Sequence, residues 1–216
     1  MSPILETFAR HAVVPAIVLH DAGQAEPLGH ALLEGGLPLA EVTLRTPESL
    51  EALKKMAEVP DLLVGAGTVM NIAQAQQAVD VGAKFIVSPG MNAQLINWCQ
   101  DQGITIVPGA VTATEMMLAL SLGLTCVKFF PSEASGGLPV LKALHGPFPT
   151  LRFMPTGGIT RASMPDYLAF APVLAVGGTW MIRREWLADD RFHIIADACA
   201  ETVTGVSDVR RKRTKV

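Results

Sequence analysis

The stretch CVKFFP, residues 126–131, places one lysine within a run of residues that is otherwise apolar. Side chains alternate between the two faces of a β-strand, so Cys126, Lys128 and Phe130 share one face. Burial disfavours the charged form of a lysine, and a neutral amine is a nucleophile toward carbonyl carbons. The stretch therefore indicates a reactive lysine, or else a lysine that extends to solvent or pairs with a carboxylate.

The chain repeats one order of elements, an apolar strand followed by a helix. Strands are predicted at residues 12–19, 39–45, 62–66, 85–88, 104–107, 126–130, 151–154 and 173–176. The helices are predicted at residues 3–10, 21–35, 47–58, 71–81, 92–101, 112–122, 137–145, 162–169 and 192–204. Eight such units predict an α/β fold, a (β/α)₈ TIM barrel with a short N-terminal helix before the first strand. A doubly wound dinucleotide-binding sheet would show G-x-G-x-x-G after the first strand, where residues 20–23 read HDAG instead.

One domain is expected over residues 1–216, ending in a basic tail at residues 206–216 that we expect to be flexible. Five of the last seven residues are basic, so the net charge of −3 becomes −8 for the rest of the chain. An acidic body argues against nucleic acid as a partner. Neither a secretion signal nor a membrane span is indicated, so a soluble, cytoplasmic protein is expected.

Metal and disulfide sites are not indicated by the spacing of the cysteines and histidines. The three cysteines include no C-x-x-C pair, and the five histidines form neither H-x-H nor H-E-x-x-H. We therefore expect reduced cysteines that serve mainly in packing, and no bound metal.

Polar residues collect where the predicted strands end, which in such a barrel is the face that carries the active site. The second strand reads EVTLRT at residues 41–46, so Glu41, Thr43 and Arg45 share one face, which we expect to be the barrel interior. The alternative is a structural ion pair between Glu41 and Arg45. Thr68 follows the third strand and Pro89 the fourth, where each could also serve only in a turn.

Two glycine dipeptides follow the last two strands, within PTGG at residues 155–158 and GGT at residues 177–179. Loops at these two positions bind phosphate groups in many barrels, through backbone N–H donors. The pair of dipeptides therefore favours a phosphate site over ordinary turns.

Taken together and in order, six motifs resemble those of the 2-keto-3-deoxy-6-phosphogluconate (KDPG) and 4-hydroxy-2-oxoglutarate (KHG) aldolase family. They are EVTLRT at 41–46, GAGTV at 65–69, SPG at 88–90, KFFP at 128–131, PTGGI at 155–159 and VGG at 176–178. The resemblance implies a metal-independent class I aldolase, a lyase that needs no cofactor and is commonly a homotrimer. Its substrate would be a small keto-acid phosphate, KDPG, cleaved to pyruvate and glyceraldehyde 3-phosphate.

The resemblance also implies roles for individual residues. Lys128 would form the Schiff base and Glu41 would be the general acid and base. Substrate-binding roles would fall to Arg45 and Thr68 at the carboxylate, Pro89 and Phe130 around the imine, and Thr156, Gly157, Gly158, Gly177, Gly178 and Thr179 at the distal end. Thr179 departs from the serine often found there, and its extra methyl group could narrow the site.

Two other classes of function stay open on the residues alone. A sugar-phosphate epimerase would use the same glycine loops but would not need an interior lysine beside a carboxylate. A catalytically silent binding module would be expected to lack Lys128 or Glu41, and both are present.

Overall fold

A computed structural model describes residues 2–213 of the chain. Within that range, parallel strands alternate with helices, as the sequence pattern predicts. The strands are β1 Val13–Ile17, β2 Leu39–Thr43, β3 Leu63–Gly67, β4 Phe85–Val87, β5 Thr105–Val107, β6 Cys126–Val127, β7 Arg152–Phe153 and β8 Val176–Gly178. The helices are α1 Pro3–His11, α2 Ala25–Glu34, α3 Ser49–Ala57, α4 Ile72–Asp80, α5 Ala93–Asp101, α6 Ala113–Ser121, α7 Gly137–His145, α8 Met164–Ala169, α9 Arg184–Ala188 and α10 Phe192–Arg213.

The strand ladder is continuous over six strands rather than eight. These six lie in the order β5-β4-β3-β2-β1-β8, and β6 and β7 form a separate parallel pair. Isolated bridges join Gly109 to Lys128 and Thr156 to Gly177, next to the two gaps between the sheets. The confirmed architecture is therefore a curved α/β arrangement of parallel strands and alternating helices.

Several elements differ from the prediction. Strand β8 begins at Val176 rather than Val173, which makes only an isolated bridge to Phe153. Helix α9 was not predicted. Helix α10 extends into the basic tail as far as Arg213, and its Val206 and Val209 are buried; residues 214–216 lie outside the described residues, and the flexibility expected of the tail stays a prediction.

Apolar side chains form two clusters, one between the strands and the surrounding helices and one enclosed by the strands themselves. The inner cluster includes Phe8 of α1, whose ring meets Phe85 of β4 edge to face at 4.9 Å. Helix α1 therefore closes the end of the sheet where the strands begin. Among the described residues, every helix is too short or too polar to cross a lipid bilayer.

The three cysteines are buried and unpaired, as expected. Burial raises the pKa of the Cys99, Cys126 and Cys199 thiols to about 12. They are therefore protonated packing groups at neutral pH.

Candidate active site

The lysine and the carboxylate singled out in the sequence meet inside the protein. Lys128 Nζ donates a hydrogen bond to Glu41 Oε1 at 3.2 Å. Glu41 is fully buried and Lys128 is 5% exposed. The ring centroid of Phe130 lies 4.9 Å from the same Nζ. The charged partner of Glu41 is thus Lys128, and the alternative pairing with Arg45 is absent from the described residues.

The backbone around β2 explains why the carboxylate points inward. Glu41 lies opposite Ala16 of β1 and Gly65 of β3 in the ladder. A Cβ atom on Gly67, two residues further along β3, would lie 2.2 Å from Glu41 Oε1. The absence of a side chain at Gly67 is therefore what leaves room for the carboxylate.

The second oxygen of this carboxylate makes no hydrogen bond to the described residues. Glu41 Oε2 is buried and has no hydrogen-bond partner within residues 2–213. A buried acceptor without a partner is unfavourable by about 1–3 kcal/mol. Such a cost is typical of a group whose partner is a ligand or a reacting proton.

A cavity at the ends of the strands holds the pair and most of the other predicted site residues. It is lined by Ala16, Val18, Glu41, Thr43, Arg45, Thr68, Lys128, Phe130, Thr156, Gly157, Gly158, Ile159, Gly177, Gly178 and Thr179. Eleven of the twelve residues proposed from sequence are in this set. Pro89 is not, and its carbonyl oxygen instead lies against Gly109, where a Cβ would come within 2.1 Å.

Arg45 and Thr68 are joined at one side of the cavity. The Nε atom of Arg45 donates to Thr68 Oγ1 at 3.3 Å. Thr68 has a φ of 59°, a left-handed conformation that is strained for a β-branched residue. The contact leaves the terminal nitrogens of the guanidinium free to bind a carboxylate.

The two glycine loops also line the cavity, and their glycines are required for different structural reasons. Gly157 and Gly158 have φ values of 98° and 81°, so these two positions require glycine for backbone reasons. A Cβ on Gly177 would lie 2.2 Å from Thr156 Oγ1, and one on Gly178 would lie 1.8 Å from the Trp180 ring. The second dipeptide therefore also makes room for neighbouring side chains, which its sequence alone does not reveal.

Four cavity residues were not proposed from sequence: Ala16, Val18, Thr43 and Ile159. Strand alternation placed Thr43 on the inner face with Glu41 and Arg45, but it was given no role at the site. Its hydroxyl donates to the carbonyl of Ile17 at 2.8 Å, so it links β2 to β1. The two residues near the end of β1 are apolar and carry no chemical signal.

Within the part of the chain that the structure describes, no group of three or more His, Cys, Asp or Glu side chains is arranged to hold a metal ion. The ionisable groups of the cavity are instead one carboxylate, one amine and one guanidinium, carried by Glu41, Lys128 and Arg45. Such a set can combine proton transfer with imine formation and with binding of an anion.

Comparisons with known proteins agree with this geometry. The model of the KDPG and KHG aldolase family matches residues 4–198. The 2-dehydro-3-deoxy-phosphogluconate aldolase of Zymomonas mobilis is 48% identical over 79% of this chain and 82% of that protein. The KHG/KDPG aldolase of Escherichia coli is 42% identical over 89% and 91%.

A solved structure extends the comparison to the reaction. The KDPG aldolase of Legionella pneumophila, with pyruvate captured at low pH as a covalent carbinolamine intermediate, superposes with a TM-score of 0.90. It is 38% identical and the match covers 93% of this chain and 98% of that one. The fold, the buried lysine and carboxylate, and these relatives lead to one assignment: the chain belongs to the KDPG and KHG aldolase family.

Proposed function

We propose that this protein is a class I aldolase that cleaves KDPG to pyruvate and glyceraldehyde 3-phosphate, and KHG to pyruvate and glyoxylate. The observation that carries the proposal is the buried contact of 3.2 Å between Lys128 Nζ and Glu41 Oε1, inside a cavity with an arginine on one side and glycine loops on the other. The names of the relatives, KDPG aldolase and KHG/KDPG aldolase, support both substrates.

The reaction begins at Lys128. Transfer of a proton from its ammonium group to Glu41 leaves an amine that attacks the C2 ketone, and loss of water from the carbinolamine gives an iminium ion bound to the enzyme. The iminium accepts the electron pair of the C3–C4 bond as that bond breaks, which leaves an enamine of pyruvate and releases the aldehyde. Protonation of the enamine carbon and addition of water then release pyruvate and regenerate the amine.

Glu41 is placed to move the protons. Its Oε1 contacts Lys128 and its Oε2 has no partner among the described residues, so the carboxylate can hold the amine and still exchange a proton with the substrate. It gives a proton to the departing carbinolamine oxygen, takes one from the C4 hydroxyl, and gives one to the enamine carbon. General acid–base catalysis of this kind contributes roughly 10²–10⁴-fold.

The remaining cavity residues orient the substrate. Arg45, held by Thr68, is placed to bind the pyruvyl carboxylate as a planar, permanently charged fork. Phe130 packs beside the imine nitrogen. The phosphate of KDPG would accept hydrogen bonds from backbone N–H groups of the glycine loops. The cavity residues of these loops are Thr156, Gly157, Gly158, Gly177, Gly178 and Thr179. Pro89, expected near the imine, does not line this cavity, so we assign it no direct contact with the substrate.

The finer architecture belongs to the same proposal. The bridges Gly109–Lys128 and Thr156–Gly177 support closure of the eight strands into a (β/α)₈ barrel of one domain. Exposed apolar side chains, including Met117, Leu120 and Val140, support burial against sister subunits in a homotrimer. The proposed location of this trimer is the cytoplasm. A monomeric mass by sedimentation at micromolar concentration would contradict the trimer.

The decisive experiment traps the imine. Borohydride added with pyruvate should reduce the Schiff base to a stable adduct on Lys128, which is the only buried lysine within residues 2–213. Mass spectrometry locates the adduct, and Lys128→Arg is the control that keeps the charge but cannot form the imine. An adduct on another lysine, or turnover without an adduct, would refute the class I mechanism. Turnover assays with KDPG, its galactonate epimer and KHG then rank the substrates.

A further inference from the structure

Three polar side chains form a network behind the glycine loop at residues 156–158. Tyr167 of α8 donates its hydroxyl proton to Glu133 Oε1, and Ser132 Oγ lies 2.9 Å from the same tyrosine oxygen. Ser132 is fully buried and Tyr167 is 2% exposed.

The hydroxyl of Tyr167 has two side-chain partners. A phenol can both donate and accept a hydrogen bond, and Tyr167 donates to Glu133 while it can accept from Ser132. Burial and the bond to Glu133 raise the pKa of Tyr167 to about 12, so the group keeps its proton at neutral pH. Each partner is thereby held in one place relative to α8.

The network reaches the glycine loop through the backbone. The N–H groups of Ser132 and Glu133 donate to the carbonyls of Thr156 and Gly157 at 2.8 and 3.0 Å. A Cβ on Gly158 would lie 2.7 Å from Glu133 Cβ and Cγ, so the loop rests directly on the glutamate. The segment that supports the loop begins at Ser132, four residues after Lys128 in the chain.

We propose that Tyr167 is a positioning residue that fixes the glycine loop at a set distance from Lys128 and so determines affinity for the phosphorylated end of the substrate. This inference rests on the proposed aldolase function. Tyr167 does not line the cavity and acts only through Ser132 and Glu133. Glycines give the loop little stiffness of its own, and ordering a loose loop on binding reduces affinity.

The test is Tyr167→Phe, which keeps the ring in its packing and removes only the hydroxyl. The KM for KDPG should rise about three- to tenfold, the effect of one buried hydrogen bond. The KM for KHG, which has no phosphate, should stay within about twofold. Trapping of pyruvate by borohydride should proceed at the unaltered rate, since the loop does not contact the pyruvyl part.

Ser49→Ala is the matched control, because it also removes a buried, multiply bonded hydroxyl beside the cavity. Ser49 Oγ donates to the carbonyl of Thr43 and accepts from the N–H of Thr46, so it supports the segment that carries Arg45. Both substrates have the same pyruvyl carboxylate, and their KM values should change by one common factor in this variant.

The outcomes separate this inference from the function on which it rests. If the unaltered enzyme cleaves neither substrate and traps no pyruvate, the proposed function fails. If it cleaves both, and Tyr167→Phe changes the two KM values equally or not at all, only the positioning role is wrong. A phosphate-selective loss in Ser49→Ala as large as that in Tyr167→Phe would also overturn it, since the selectivity would then follow any loss of a buried hydroxyl.

Discussion

The side chains enclosed by the strands are apolar at one end of the molecule and polar at the other. Positions only two residues apart on one strand belong to the two different ends. On β2, Leu39 packs in the inner apolar cluster with Phe85, whereas Glu41 lies in the cavity. After Cys126 on β6, which belongs to the same cluster, Lys128 reaches the cavity in the same way. One alternation therefore supplies packing at one end and chemistry at the other.

The difference shows how the fold separates stability from reactivity. The apolar end is held by packing, including the edge-to-face rings of Phe8 and Phe85. The polar end keeps an unpartnered oxygen on Glu41 and a strained backbone at Thr68. Both features are unfavourable for folding, so the packed end must offset them.

Among substitutions that test the difference between the two ends, Glu41→Gln at the polar end is expected to have the largest effect, and this effect is on activity. An amide of the same shape cannot transfer protons, so kcat with KDPG should fall by roughly 10²–10⁴-fold. Exchange of the pyruvate methyl protons with deuterated water, followed by NMR, should fall in parallel. Glu51→Gln, on the exposed face of α3, is the control and should leave both rates unchanged. Normal exchange in Glu41→Gln would remove Glu41 from the proton-transfer steps.

The next effect is expected from Phe8→Ala at the apolar end. Phe8 is 1% exposed, and truncation of a buried phenylalanine costs about 3–5 kcal/mol of stability. Urea unfolding should show this loss, while kcat of the folded enzyme stays near that of the unaltered protein. A fall in kcat under conditions where circular dichroism shows a folded variant would mean that the two ends are coupled.

Much of the fold and of the site could be predicted because both depend on alternation along strands. The period of two residues identified β2 and the inner face shared by Glu41 and Thr43. The repeated order of strand and helix predicted the α/β class, and the expectation that polar residues gather where strands end placed Glu41, Arg45 and Thr68 at the face that carries the cavity. These inferences need only local sequence and the direction of the strands.

Features that depend on contacts between distant segments could not be predicted. The space at Gly177 is filled by Thr156 from the preceding loop, so this glycine serves packing as well as a loop. Tyr167 supports the 156–158 loop through hydrogen bonds to Glu133 and Ser132, which lie 34 and 35 positions earlier in the chain. Nothing in the local pattern around Tyr167 indicates that its hydroxyl bonds to Glu133 and Ser132.

The smallest effects, and the sharpest test of the comparison, are expected from one substitution made at two neighbouring sites on β3. A Cβ on Gly65 would lie 2.4 Å from the Phe85 ring, whereas a Cβ on Gly67 would lie 2.2 Å from Glu41 Oε1. Neither glycine has a positive φ, so alanine fits the backbone at both sites. The same methyl group therefore strains packing at one end and the carboxylate at the other.

Gly65→Ala should lower the free energy of unfolding by about 1–3 kcal/mol, because a rigid ring must move within a packed cluster. Its kcat should hardly change. Gly67→Ala should lower kcat by about 10- to 100-fold, since a displacement of roughly 1 Å in a catalytic group is enough for such a loss. Its stability should change less, because the Glu41 side chain can turn toward the cavity. Urea unfolding and steady-state kinetics are measured on both variants. If the two variants lose the same stability and keep the same activity, the polar and apolar ends form one packing unit. Gly67 would then not set the position of the carboxylate.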